Sequence, residues 1–163
     1  MRNAHSIFIS RSTFHGTDCV ERNCLAAQGI GITPFVAILT ALQSALPSSP
    51  HAAALAESGP KEIVLLHTDS TLASIPFREK LEALAASCVE WSDGAISVRI
   101  EWVLTGADEN KRLNEQRVAE AVPDVSEFEV MLCGPAAFQE DMYGALGALG
   151  VGMERISTES FLA

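Results

Sequence analysis

The stretch Leu25 to Leu39, LAAQGIGITPFVAIL, sets Gly29 and Gly31 and a Thr33-Pro34 pair between a short apolar run and a longer apolar segment with helical spacing. A strand running into Gly29-Ile30-Gly31, with a helix opening at Thr33-Pro34, leaves free backbone donors at one end of a sheet, where open α/β folds bind ligands. Such a turn suits a phosphate. It also reads as a plain strand-to-helix connector, with Thr33 as N-cap and Pro34 as the first helical residue. The common dinucleotide fingerprint wants a third glycine three residues after the second, and Pro34 stands there, so the turn is not that motif.

Outward from this turn, strand-like apolar runs alternate with helix-like segments through five rounds. That alternation predicts an α/β fold, a five-stranded parallel sheet flanked by helices. The first strand is expected over about Asn23 to Ala27 and the first helix over Pro34 to Leu46, stopped by Pro47. Residues 47 to 60 form a Pro/Ser/Ala connector. EIVLLH, residues 62 to 67, suits a buried central strand. The helix after it should open at Pro76, with Phe77, Leu81, Leu84 and Cys88 on one face.

Residues 95 to 104, AISVRIEWVL, alternate apolar and polar, which predicts a third strand nearer an edge. A charged loop leads to a helix over Leu113 to Val122. EFEVMLC, residues 127 to 133, is the expected fourth strand. The helix that follows should carry a stripe of Phe138, Met142, Ala145 and Leu149, and RISTES, residues 155 to 160, is the last strand.

The 163 residues, 48% hydrophobic, fit one globular domain with a core that needs no staple. Cys19, Cys24, Cys88 and Cys133 lack pairing or metal spacing, which points to reduced thiols and a cytoplasmic setting. His5, His15, His51 and His67 are scattered without metal spacing, so no metal site is expected, and His67 at a strand end reads as a packed residue. No apolar run reaches membrane-span length. A net charge of -10 without a basic stripe argues against nucleic acid. An anionic ligand would have to be met by helix N-termini, backbone N–H groups and a few placed cations.

A second constellation repeats the first. In VMLCGPAAF, Val130 to Phe138, a buried strand ends at Cys133, turns at Gly134-Pro135 and enters a helix. If the two strands are neighbours, one cleft receives both turns. Together AQGIGITPF, IPFREKLEALA, VMLCGPAAF and LGVGMERISTESF resemble, in order and spacing, the nucleotide-binding domain of the ferredoxin-NADP reductase-like flavoprotein reductases, from about Asn23 to Phe161.

The resemblance implies a domain that binds NADH or NADPH and passes hydride to a flavin, FAD, held mainly by a separate β-barrel. It implies that Gly29, Ile30, Gly31, Thr33 and Pro34 pack on the cofactor's pyrophosphate and nicotinamide side. By the same resemblance Cys133, Gly134 and Pro135 form the second loop, with the cysteine near the reactive nicotinamide carbon. Glu159 and Phe161 match the family's carboxyl-terminal pair near the flavin. Cys133, Glu159 and Phe161 are therefore the expected catalytic residues.

The departures from the family are specific. Gln28 stands where many members have glycine, adding a side chain at the loop. Ser70 stands where many carry an arginine toward the adenosine half, which leaves Ser70, Thr71, Lys111, Arg112 and Arg117 as candidate contacts there, Arg117 best by register. With Asp69 nearby and no arginine pair for a 2′-phosphate, NADH is favoured over NADPH. Residues 1 to 22 carry nothing like the flavin-binding motif and read as a remnant or linker from a barrel domain, with residues 23 to 163 the NAD(P)H-binding domain. The expected partners are a flavin-binding domain or subunit and an electron-acceptor protein. The alternative is a nucleotide-binding or regulatory module that has lost catalysis with its barrel.

Overall fold

A computed structural model describes residues 21–45, 61–106 and 112–159. Among them the chain alternates β1 (Glu21–Gln28), α1 (Thr33–Ala45), β2 (Lys61–Asp69), α2 (Arg78–Ala86), the one-turn α3 (Cys88–Trp91), β3 (Ile96–Leu104), α4 (Glu115–Ala121), β4 (Glu129–Cys133), α5 (Ala136–Ala148) and β5 (Ile156–Glu159). The strands form one sheet in the order β3-β2-β1-β4-β5, and every neighbouring pair is parallel. The expected five-stranded parallel sheet flanked by helices is the fold, and β3 does lie at an edge.

Period-two alternation divides the core. On β1, Leu25 and Ala27 join Phe35, Leu39 and Leu81 on one face, while Cys24 and Ala26 join Val118, Phe138 and Met142 on the other. Fully burying side chains such as Leu65 or Leu132 contributes about 1.5–3 kcal/mol each, so strands hydrophobic on both faces hold the middle of the sheet. Charges cluster at the opposite end of the strands from the glycine turns: Arg22 reaches Glu62 at 3.4 Å and Glu127 at 2.7 Å, and buried Lys61 pairs with Glu21.

Boundaries depart from the sequence expectation where a cap or a turn intervenes. β1 takes in Glu21 and Arg22, because both pair in register with Lys61 and Glu62 of β2. The second helix opens at Arg78 and not at Pro76: Thr71 and Ser74 cap a separate 3-10 turn over Leu72–Ser74, and Phe77 then adopts a left-handed conformation at φ 59°. Phe77 is consequently exposed, outside the buried set of Leu81, Leu84 and Cys88. The fourth helix starts at Glu115 because Asn114 caps it, its side-chain oxygen accepting from the Arg117 amide at 3.1 Å. On α5 the buried stripe is Phe138, Met142 and Leu146, with Leu149 only packed at its margin. The expected helix end at Leu46, the connector, Lys111, Phe161 and residues 1 to 20 lie outside the described residues.

Candidate active site

The chain leaves β1 in one direction, toward β2 and β3, and later returns to its other side with β4 and β5. The strand order therefore reverses between β1 and β4, and open α/β sheets bind ligands in the crevice at the carboxyl ends of strands so placed. Ala27 and Cys133 are paired there, so the two glycine turns that follow are neighbours. The same row of the sheet runs Trp102, His67, Ala27, Cys133, Glu159, which sets Glu159 beside Cys133.

The first loop is a 3-10 turn, Gly29–Ile32, running straight into α1. Gly29 supplies a left-handed φ of 55°, and a Cβ on it would meet nothing within 4 Å. Gly31 serves another need. A Cβ there would stand 2.6 Å from the Cys133 carbonyl carbon and 3.0 Å from the Gly134 nitrogen, closer still to the carbonyl oxygen, so the two loops touch through backbone where Gly31 has no side chain. Ile30 at the tip is exposed.

Thr33 is not the expected N-cap. It already has helical geometry at φ -55°, and both its amide and its hydroxyl, the latter at 2.7 Å, donate back to the Ile30 carbonyl.

The second loop, Gly134-Pro135, is held by the Gln139 side chain, which donates to the Gly134 carbonyl at 2.8 Å. A Cβ on Gly134 would lie 2.7 Å from the Phe138 ring and 3.3 Å from the Gln28 Cβ, so here too glycine permits close packing. Cys133 itself is fully buried beneath the first loop. Burial, and after it the charge of Glu159, pushes its thiol up to about 11, so at neutral pH it is an uncharged packing group and not a thiolate nucleophile.

Ser70 does not replace the arginine as a free contact. Asp69 accepts from the Ser70 amide at 2.6 Å and from the Ser74 hydroxyl at 2.6 Å, and the Ser70 and Ser74 hydroxyls lie 3.1 Å apart. Burial works to raise the Asp69 carboxyl, but the bonds from Ser74 and Ser70 and nearby His67 outweigh it and hold the group below the usual carboxylate range. Anionic Asp69 thus stands at the carboxyl end of β2, bound to the loop that follows.

His67 packs edge-on to Trp102, with ring centroids 5.8 Å apart, and its Nε2 lies 3.6 Å from Asp69. Burial, only partly offset by Asp69, lowers its pKa, which agrees with its reading as a packed neutral residue. Because the unfolded chain takes the proton more readily, stability is full above the ordinary histidine pKa of about 6.5 and falls as pH drops below it, by at most about 1.4 kcal/mol per pH unit. Urea melts at about pH 7 and about pH 5 are expected to show this loss, and His67→Gln to flatten the dependence; an equal slope in the variant would assign it elsewhere.

On the α4 and α5 side of the switch point the loops border a groove of about 180 Å³ lined by Gln28, Thr68, Arg112, Leu113, Pro135, Ala137, Phe138 and Asp141. Of the candidate adenosine-side cations Arg112 lines it, whereas Arg117 lies on α4 and Ser70 in the Asp69 cluster. Thr68 was not singled out by sequence reasoning. Its only signal there was a polar residue at the end of an otherwise apolar strand. Among the described residues no group of three or more His, Cys, Asp or Glu could hold a metal ion, and no helix is long and apolar enough to cross a membrane.

This architecture, a parallel sheet whose β1 and β4 turns meet at the switch point, is that of a pyridine-nucleotide-binding domain. The model of the oxidoreductase NAD-binding domain family matches residues 25–143, and the chain belongs to that family. Its fold is that of the NAD(P)-binding domain of ferredoxin-NADP reductase-like flavoprotein reductases. Among solved structures it is similar to the cytochrome b5 reductase domain of Ulva prolifera nitrate reductase, at 24% identity and a TM-score of 0.62, covering 87% of this chain and 49% of that one. It is similar also to the FAD/NAD binding domain of nitric oxide dioxygenase from Vibrio cholerae, at 23% identity and a TM-score of 0.59, over 91% and 54% of the two chains. A third is the flavohemoglobin of Malassezia yamatoensis with bound FAD and heme, at 22% identity and a TM-score of 0.60, over 90% and 33%. The chain thus spans between a third and just over half of these proteins. A search of curated proteins gave no match.

Proposed function

We propose that the chain is the NAD(P)H-binding half of a flavin-dependent oxidoreductase, delivering hydride to an FAD held by a separate domain or partner subunit, with an electron-acceptor protein beyond it. The observation that carries this reading is the contact of the two glycine turns at the switch point, with Cys133 and Glu159 side by side. The bound nicotinamide would supply the hydride and the flavin would receive it.

The protein's part is positioning, since hydride transfer needs two rings at near contact and no protein acid or base at the reacting carbon. Gly29, Ile30 and Gly31 would offer backbone donors to the pyrophosphate, and Thr33 and Pro34 would complete a small surface on the pyrophosphate and nicotinamide side. Gly134 and Pro135 would close the other side, Cys133 would form the floor under the ring, and Glu159 and Phe161 would face the flavin. Ser70 and Arg117 are assigned to the adenosine side, where anionic Asp69 opposes a 2′-phosphate and favours NADH. A cytoplasmic setting fits the free, buried Cys24, Cys88 and Cys133.

Calorimetric titration of the chain with NADH and NADPH, repeated with FAD present while flavin absorbance is followed, tests the reading. Tighter binding of NADH than NADPH, and flavin bleaching when all three are combined, is the expected result. Binding without bleaching, with a flavin-binding partner domain supplied, would indicate instead a nucleotide-binding module that has lost catalysis.

A further inference from the structure

Among the described residues the hydroxyl of Thr68 is a buried polar atom without a partner. The residue is 3% exposed, and its Oγ1 makes no hydrogen bond to any of them although it lies at the carboxyl end of β2, in register with Gln28. Leaving a buried hydroxyl unpaired is costly, so such an atom calls for an explanation. Thr68 also lines the groove described above, together with Gln28 and residues of α5.

The groove's about 180 Å³ is too small for a whole dinucleotide, against the roughly 300–1,000 Å³ usual for a drug-sized ligand, and it would take one piece of the cofactor. The lining decides which piece. Gln28 and Thr68 offer neutral groups that both donate and accept, as sugar hydroxyls do. Asp141 adds a carboxylate, which accepts from a diol but repels a phosphate, and the single cation, Arg112, is exposed. We propose that this groove is a ribose subsite of the pyridine-nucleotide site, in which the Thr68 hydroxyl takes its missing partner from a sugar hydroxyl and the Gln28 carboxamide closes over it. The inference rests on the nucleotide-binding reading above and deepens it. It also gives Gln28 a role, as a polar wall of the groove.

Thr68→Val keeps the shape of the side chain and removes only its hydrogen-bonding oxygen. Calorimetry with NADH, AMP and nicotinamide mononucleotide, on the wild-type chain, Thr68→Val and Thr68→Ser, tests the assignment, with thermal melts as the control for folding. Thr68→Val is expected to bind NADH about tenfold more weakly, to lose affinity for one mononucleotide and not the other, and to melt no lower than wild type, with Thr68→Ser restoring the binding. If wild type binds NADH and Thr68→Val binds it equally well, the ribose subsite is overturned while the nucleotide-binding reading stands. A lower melting temperature with unchanged affinity would likewise overturn it, making the hydroxyl a structural one. Failure of the folded wild-type chain to bind NADH at all would overturn the underlying reading.

Discussion

Gly31→Val is expected to lower the melting temperature by about 6–12 °C, a loss of about 3 kcal/mol at roughly 2–4 °C per kcal/mol for a chain of this size. The reason lies in what the new side chain meets. Its Cβ would come within 2.6 Å of the Cys133 carbonyl carbon, which belongs to backbone at the end of a central strand and cannot swing aside as a flexible side chain would. One of the two loops must move, and both are anchored in the sheet through the paired Ala27 and Cys133. Gly29→Ala makes the contrast. It meets nothing within 4 Å and loses only the freedom to hold φ 55°, a strain of about 1–2 kcal/mol. Differential scanning calorimetry of both variants checks the order, and a Gly31→Val protein that melts with wild type would show that the loops do not touch as described. The comparison also separates two uses of glycine. A lower nucleotide affinity in Gly31→Val would mix fold and site, whereas in Gly29→Ala it would report the site.

Cys133→Ala is expected to slow hydride transfer to flavin by about 10- to 100-fold while changing nucleotide affinity by no more than about twofold. Cys133 is fully buried, its thiol is uncharged, and it lies in one row with Ala27 and Glu159. It has no ionised form to lend to catalysis, so its contribution under the proposed reading is to set the height and tilt of the ring above it. A misplacement of about 1 Å can cost about 100-fold in rate with little effect on binding. Single-turnover reduction of added FAD, set beside calorimetric affinities, reads the two effects separately. Equal losses in rate and affinity would remove the positioning role.

Much of this was legible in the sequence because its signals are local. Alternating strand and helix periods give the parallel sheet, and the repeated strand-glycine-proline pattern at Gly29–Pro34 and Cys133–Pro135 marks two turns that become neighbours only if β1 adjoins β4. The pairing of Ala27 with Cys133 meets that condition. What sequence missed depends on local turn geometry and on contacts between distant segments. Pro76 looked like a helix start, but the Thr71–Ser74 cap and the left-handed Phe77 delay the helix to Arg78. Thr33 looked like an N-cap, yet the preceding 3-10 turn delivers it already helical. Gly31 looked like a concession to a ligand, and in the fold it is also a concession to the neighbouring backbone. Thr68 carries no motif at all, since only burial without a partner among the described residues distinguishes it.

The most direct test of the central claim, that pyridine nucleotide lies across the β1/β4 switch point, is an amide NMR titration of the chain with NADH. The account expects the largest shifts at Gly29 to Thr33, Cys133 and Gly134, with the amides of Lys61, Ile96 and Glu129 at the opposite end of the strands unmoved. Saturable binding whose shifts gather at that opposite end, or spare both glycine turns, would contradict it.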